Sequence, residues 1–138
     1  MFTLRKGLIA GAVLAAGLAM AGGSAPGFAQ GGELSMLNGL SKGEWTVRQR
    51  DGSPNRKICL RSGRELIQLQ HRAANCNRFV VEDGNEEVTV QYTCPGNGYG
   101  RTSIRRETAS LVQIESQGIS GGLPFQFAAE ARRTGTCS

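Results

Sequence analysis

The chain is poor in the residues that catalysis ordinarily uses. It holds 1 histidine, His71, and its only aspartates, Asp51 and Asp83, each precede a glycine in a turn-like stretch. Turn formation accounts for both aspartates. A lone histidine lacks the third group that orients a catalytic base, so a structural or solvated role is expected for it. Glu86 and Glu87 are adjacent on a candidate strand and point to opposite faces, which makes a poor carboxylate pair. No G-x-S-x-G, H-E-x-x-H or phosphate-loop pattern occurs. The absence of C-x-x-C argues against thioredoxin-like exchange. Aromatic residues make up only 6% of the chain, too few for the stacking platforms of single-stranded nucleic acid binding. No catalytic residue, cofactor or metal is therefore expected. An enzyme site assembled from distant residues including His71, or a purely structural interaction protein, stands as the competing reading.

Long apolar runs are also missing. The longest, Leu8 to Ala21, spans fourteen residues after the positive pair Arg5 and Lys6. A membrane-spanning helix needs about 20. Small residues follow, and Gly27-Phe28-Ala29 supplies the spacing of a cleavage site before Gln30. Residues 1–29 have the layout of a secretory signal peptide, with a cut after Ala21 as the alternative. The expected mature product is soluble, exported to the periplasm or beyond, with no stable membrane insertion. Losing Arg5 and Lys6 lowers the formal charge from +5 to +3.

What is present in the remainder is sulfur. Cys59, Cys76, Cys94 and Cys137 all follow the leader, and an even count in a short exported chain reads as two disulfides. The closest pair is seventeen residues apart, unlike the close spacing of zinc ligands. Cys76 and Cys94 flank a candidate hairpin turning at Asp83-Gly84-Asn85, which leans the pairing toward Cys76–Cys94 with Cys59–Cys137. Cys76 falls outside the inward set read for its strand, however, and Cys59–Cys76 with Cys94–Cys137 stays open.

Residues 30–41 contain Gly, Ser and Asn and read as a flexible lead-in, and 42–138 as one β-rich domain. Trp45 and Val47 alternate with Thr46, Arg48 and Arg50, the period of a half-buried strand. Ile58 and Leu60 mark a second strand beyond the turn at 51–55. Val88, Val90, Tyr92 and Cys94 share one side of a further strand. Phe125, Phe127, Ala129 and Ala131 share one side of the last. Two weaker strands lie between, joined near Thr108 and Ala109, and "GISGG" reads as a chain break. One helix is expected from Gly63 to Arg72, entered by a capping box of Ser62 and Glu65. The predicted fold is mainly β: an antiparallel meander forming a sheet, sandwich or partly closed barrel, with one short helix and two disulfides.

The order of these pieces, from Gly43-Glu44-Trp45 through Cys59-Leu60 and the Cys76/Cys94 hairpin to Gly135-Thr136-Cys137, resembles the bacterial exported family catalogued as domain of unknown function 3617. The resemblance covers roughly Leu40 to Cys137. It departs at Arg61-Ser62-Gly63, where a Thr/Ser-Pro helix start would be expected. It implies a periplasmic location and supplies no activity.

Arginine is the remaining feature. Arg48, Arg50, Arg101, Arg105 and Arg132 fall at outward positions, and a basic stripe results if the first and last strands are neighbours. Such a stripe would contact an anionic envelope partner. The plainer expectation is a mixed soluble exterior, since Glu44, Glu107, Glu115 and Glu130 are interspersed. Trp45, Phe79, Tyr92, Phe125 and Phe127 read as core, or as the lining of an apolar pocket. The function expected is a non-catalytic binding or envelope-associated module.

Overall fold

The alternation in the sequence becomes seven antiparallel strands in a computed structural model that describes residues 22–23, 33–72 and 75–138. They are β1 (Gly43–Gln49), β2 (Arg56–Leu60), β3 (Asn77–Asp83), β4 (Glu87–Cys94), β5 (Gly98–Thr108), β6 (Leu111–Ser120) and β7 (Leu123–Gly135). The expected signal peptide lies outside the described residues, apart from Gly22 and Gly23. The strands form one sheet in the order β2-β1-β7-β6-β5-β4-β3, with β2 and β3 as unpaired edges. Of the predicted shapes it is the open sheet, neither sandwich nor closed barrel. The first and last strands are neighbours, as the basic stripe required.

One face of the sheet is apolar because every strand repeats with period two. Trp45, Val47, Ile58, Leu60, Val88, Val90, Tyr92, Ile104, Val112, Ile114, Ala129 and Ala131 are all buried. Phe127 is partly buried against them. This face is covered by residues from two segments, 34–40 and the crossover from β2 to β3. Segment 34–40 corrects the flexible lead-in: Leu34, Met36, Leu37 and Leu40 are buried around the short helix α1 (Ser35–Asn38). Its leucines recur every three residues, so one turn of helix delivers them together to the sheet.

The crossover corrects the single helix. It forms two 3-10 turns, Arg64–Leu66 and Leu69–His71, instead of one run from Gly63 to Arg72. Ten residues are too few for a self-sustaining helix, and here they must also lay Leu66, Ile67 and Leu69 on the sheet. Buried Thr102 donates to the Ile67 carbonyl at 2.6 Å and takes that acceptor out of helical bonding. The Ser62/Glu65 exchange forms, shifted by a residue: the Arg64 amide donates to Ser62 Oγ and the Ser62 amide to Glu65 Oε1. Gly63, at φ 84°, passes so close beneath α1 that a Cβ there would lie 2.6 Å from the Leu37 carbonyl oxygen.

Two disulfides tie the two sides. Cys76–Cys94 clips the open end of the β3/β4 hairpin, and Cys59–Cys137 joins the strands that flank β1. Glu44 on β1 is the register partner of both Cys59 and Gly135, which places the tail beside β2. The parity that set Cys76 apart was read from the wrong set. Arg78 and Val80 face inward opposite Tyr92 and Val90, and a bulge then lets Val81 slip from register. Phe79, expected inward, therefore stands on the open face at 49% exposure. The "GISGG" break is smaller than expected: β6 continues to Ser120, and the turn is Gly121-Gly122, both with positive φ, as a two-residue hairpin loop demands.

Candidate functional site

The second face of the sheet has no element packed on it among the described residues, and the outward residues of every strand line up across it. Register places Phe79, Gln91, Arg101, Gln117 and Gln126 in one cross-strand row. The next row carries Asn77, Thr93, Tyr99, Ile119 and Pro124. Strand spacing of about 4.8 Å brings such neighbours within reach of a common ligand.

Two adjoining clefts open on this face. One, of ≈580 Å³, includes Arg50, Ser103, Glu115, Gln117 and Gln126 in its lining. The other, of ≈530 Å³, includes Tyr99, Ile119, Pro124 and Phe125. Arg101, Gln117 and Gln126 belong to both. The first carries hydroxyl, amide and charged groups beside Phe127 and Ala128, the second an apolar wall of Ile119, Pro124 and Phe125, and Arg101 stands where they meet. At the first cleft's margin the Ser53 hydroxyl and amide hold the Asp51 carboxyl below its ordinary value.

All five arginines singled out from the sequence stand on this side, but they do not act alike. Arg48 and Arg132 both reach Glu130, at 3.7 and 3.3 Å, and Arg105 reaches Glu107 at 3.5 Å. Arg50 donates to Gln113 Oε1 at 2.7 Å. Arg101 alone of the five forms no ion pair or side-chain hydrogen bond with a described residue. The basic stripe is thus largely answered by its own glutamates, and exposed pairs of this kind contribute about 0–1 kcal/mol each.

The aromatic group divides too. Trp45 is fully buried and donates Nε1–H to the Ser41 carbonyl at 2.8 Å. Tyr92 is core, and burial pushes its phenol up to about 12. Phe125 is half-buried against His71, with ring centroids 5.8 Å apart. Tyr99, which sequence reasoning passed over, is 48% exposed beside the cleft. Its outward parity opposite Thr93 was the signal that could have found it.

His71 is buried, with both ring nitrogens engaged. Nε2 lies 3.0 Å from the Asn97 carbonyl, an acceptor only, so Nε2 carries the proton and donates. Nδ1, 2.9 Å from the Tyr92 hydroxyl, accepts from it in the neutral ring. The imidazole thus pins the crossover to β4 and to the turn after it. All four cysteines are oxidised, which removes them as thiolate ligands. The disulfides accord with an oxidising, extracytoplasmic setting. Among the described residues no helix is long and apolar enough to cross a membrane. Comparison with protein-family models, curated proteins and solved structures returns no match.

Proposed function

We propose that this protein is an exported, non-catalytic binding module whose open sheet face takes an amphipathic component of the cell envelope. The observation that carries this reading is Arg101, which forms no ion pair or side-chain hydrogen bond with a described residue and is shared by two adjoining clefts. An anionic or strongly polar head placed at Arg101 would lay its apolar body along Tyr99, Ile119 and Pro124. The leader-like residues 1–29 and the resemblance to an exported family support a periplasmic location, and the two disulfides are consistent with it. The engaged nitrogens of His71 support a structural role over that of a catalytic base.

Dodecanoate, below its micelle concentration, is the simplest probe of this chemistry. Titration followed by backbone NMR is expected to shift the amides of Tyr99, Gln117 and Ile119 in a saturable way. Arg101→Gln should weaken the interaction about tenfold, the scale of one charge-assisted hydrogen bond. Shifts confined to the covered face, or none at all, would sink the proposal.

A further inference from the structure

On the covered side of the sheet, Ser62, Arg64, Glu65, Gln68, Arg72 and Arg78 line a cleft of ≈360 Å³. Three guanidiniums and one carboxylate leave a formal +2 there. In the larger open-face cleft Arg50 and Arg101 are matched by Asp51 and Glu115. All 11 acidic residues of the chain lie among the described residues. None forms an ion pair with Arg64, Arg72 or Arg78. Glu65 is itself occupied, accepting from the Arg61 and Ser62 amides at 3.0 and 3.1 Å.

Two of the three positive charges are held in place. Gln68 is 7% exposed, and its Oε1 accepts from Nε and Nη2 of Arg78 at 3.3 and 3.0 Å. Its Nε2 donates to the His71 carbonyl at 2.8 Å, so the amide cannot turn without losing both sides. Arg64 donates to the Glu33 carbonyl at 2.6 Å and to Asn38 Oδ1 at 2.8 Å. Arg72 is exposed at the rim. Burial first, and then the neighbouring Arg64, weaken the hold of Arg78 on its proton, with Glu65 opposing them in part; burial and Arg72 do the same to Arg56 nearby. Like charges gathered this way raise the free energy of the folded chain until an anion enters.

We propose that the cleft of Arg64, Arg72 and Arg78 binds a dianionic phosphomonoester, with Gln68 as the positioning residue. The guanidinium fork matches paired phosphate oxygens. A phosphomonoester carries about −1.5 to −2 charges near pH 7, which answers the excess. A phosphodiester or a single carboxylate brings one charge and leaves part of it standing. This site is on the side of the sheet opposite the amphiphile clefts and stands or falls separately from them.

The test uses the intact protein with glycerol 3-phosphate in solution, and with phosphatidylcholine vesicles alone or containing phosphatidic acid or phosphatidylglycerol. Binding of glycerol 3-phosphate supports the site with a soluble ligand; retention on phosphatidic acid vesicles alone supports it with a lipid headgroup. Arg78→Gln and Arg72→Gln should each weaken binding about tenfold, while Arg101→Gln leaves it unchanged. Arg72 is exposed, so its variant reports even if Arg78→Gln impairs folding. Binding to neither probe, equal retention on phosphatidylglycerol, or equal weakening by Arg101→Gln overturns the proposal. Dodecanoate titration of Arg78→Gln, expected to be normal, keeps a failure here distinct from a failure at the open face.

Discussion

The two edges of the sheet are secured by different physics. Edge β2 turns Ile58 and Leu60 onto the covered face, at 3% and 1% exposure. Edge β3 has no fully buried residue, and it leaves Phe79 and Val81 largely outside. Apart from its pairing with β4, β3 is held by Cys76–Cys94, by Arg78 on Gln68, and by Asp83 Oδ2 accepting from the Leu34 amide. Apolar burial and the long Cys59–Cys137 bridge fasten one margin, and a short bridge with polar ties but little burial fastens the other. The bulge at Val81 and the charges of Arg78 and Glu82 also make β3 a poor template for a foreign strand.

The long bridge gives the largest expected effect. Cys59–Cys137 spans 78 residues and Cys76–Cys94 spans 18, which by loop-closure entropy correspond to about 4.5 and 3.2 kcal/mol. Urea unfolding of the paired serine variants without reductant should show that order, with the Cys59/Cys137 variant the weaker. Hydrogen exchange should show the opposite order locally. Loss of Cys76–Cys94 is expected to speed exchange at Asn77 to Val81 beyond the change in global stability, and loss of the other bridge is not. If both variants loosen β3 alike, the contrast between the margins fails. Tyr92→Phe comes next, since it leaves His71 Nδ1 buried without its partner. About 1–2 kcal/mol should be lost, with the crossover amides exchanging faster than those of β1. Smallest is Arg48→Gln, which breaks the 3.7 Å pair with Glu130 near the β2 margin. A change in unfolding midpoint equivalent to under about 0.5 kcal/mol is expected, because burial and not surface charge secures that side.

How much of this was legible follows from which constraints are local. Alternation of Val88, Val90 and Tyr92, or of Ala129 and Ala131, needs only the pleat, and those residues are buried as read. The hairpin leaned the pairing toward Cys76–Cys94, which the structure shows, while sequence alone left Cys59–Cys76 open. Beyond that, partners in space decide. Leu34, Leu37 and Leu40 carried a threefold spacing that a Gly- and Ser-rich surrounding obscured. The crossover has helix-like residues, but the hydroxyl that takes the Ile67 carbonyl is that of Thr102, on a strand 35 residues away. Val81 hides its bulge, since nothing in "RFVVED" marks which valine drops out of register. The open-face arginines could be placed by parity, and Arg105 with Glu107 and Arg132 with Glu130 are two residues apart on one strand, whereas the pairing of Arg48 with Glu130 depended on the register of β1 and β7. Arg64, Arg72 and Arg78 were passed over because only the pairing of the crossover with β3 brings them together.

The place of β7 between β1 and β6 has a consequence in time. A ribosome makes β1 before β7, so the earliest hairpin waits for its inner neighbour until β3 to β6 have been made. During that wait Cys59 can meet Cys76 and Cys94 but not Cys137. An oxidant that outpaces the arrival of the tail can join Cys59 to the wrong partner, and such a pair must then be exchanged before Cys137 can take its place.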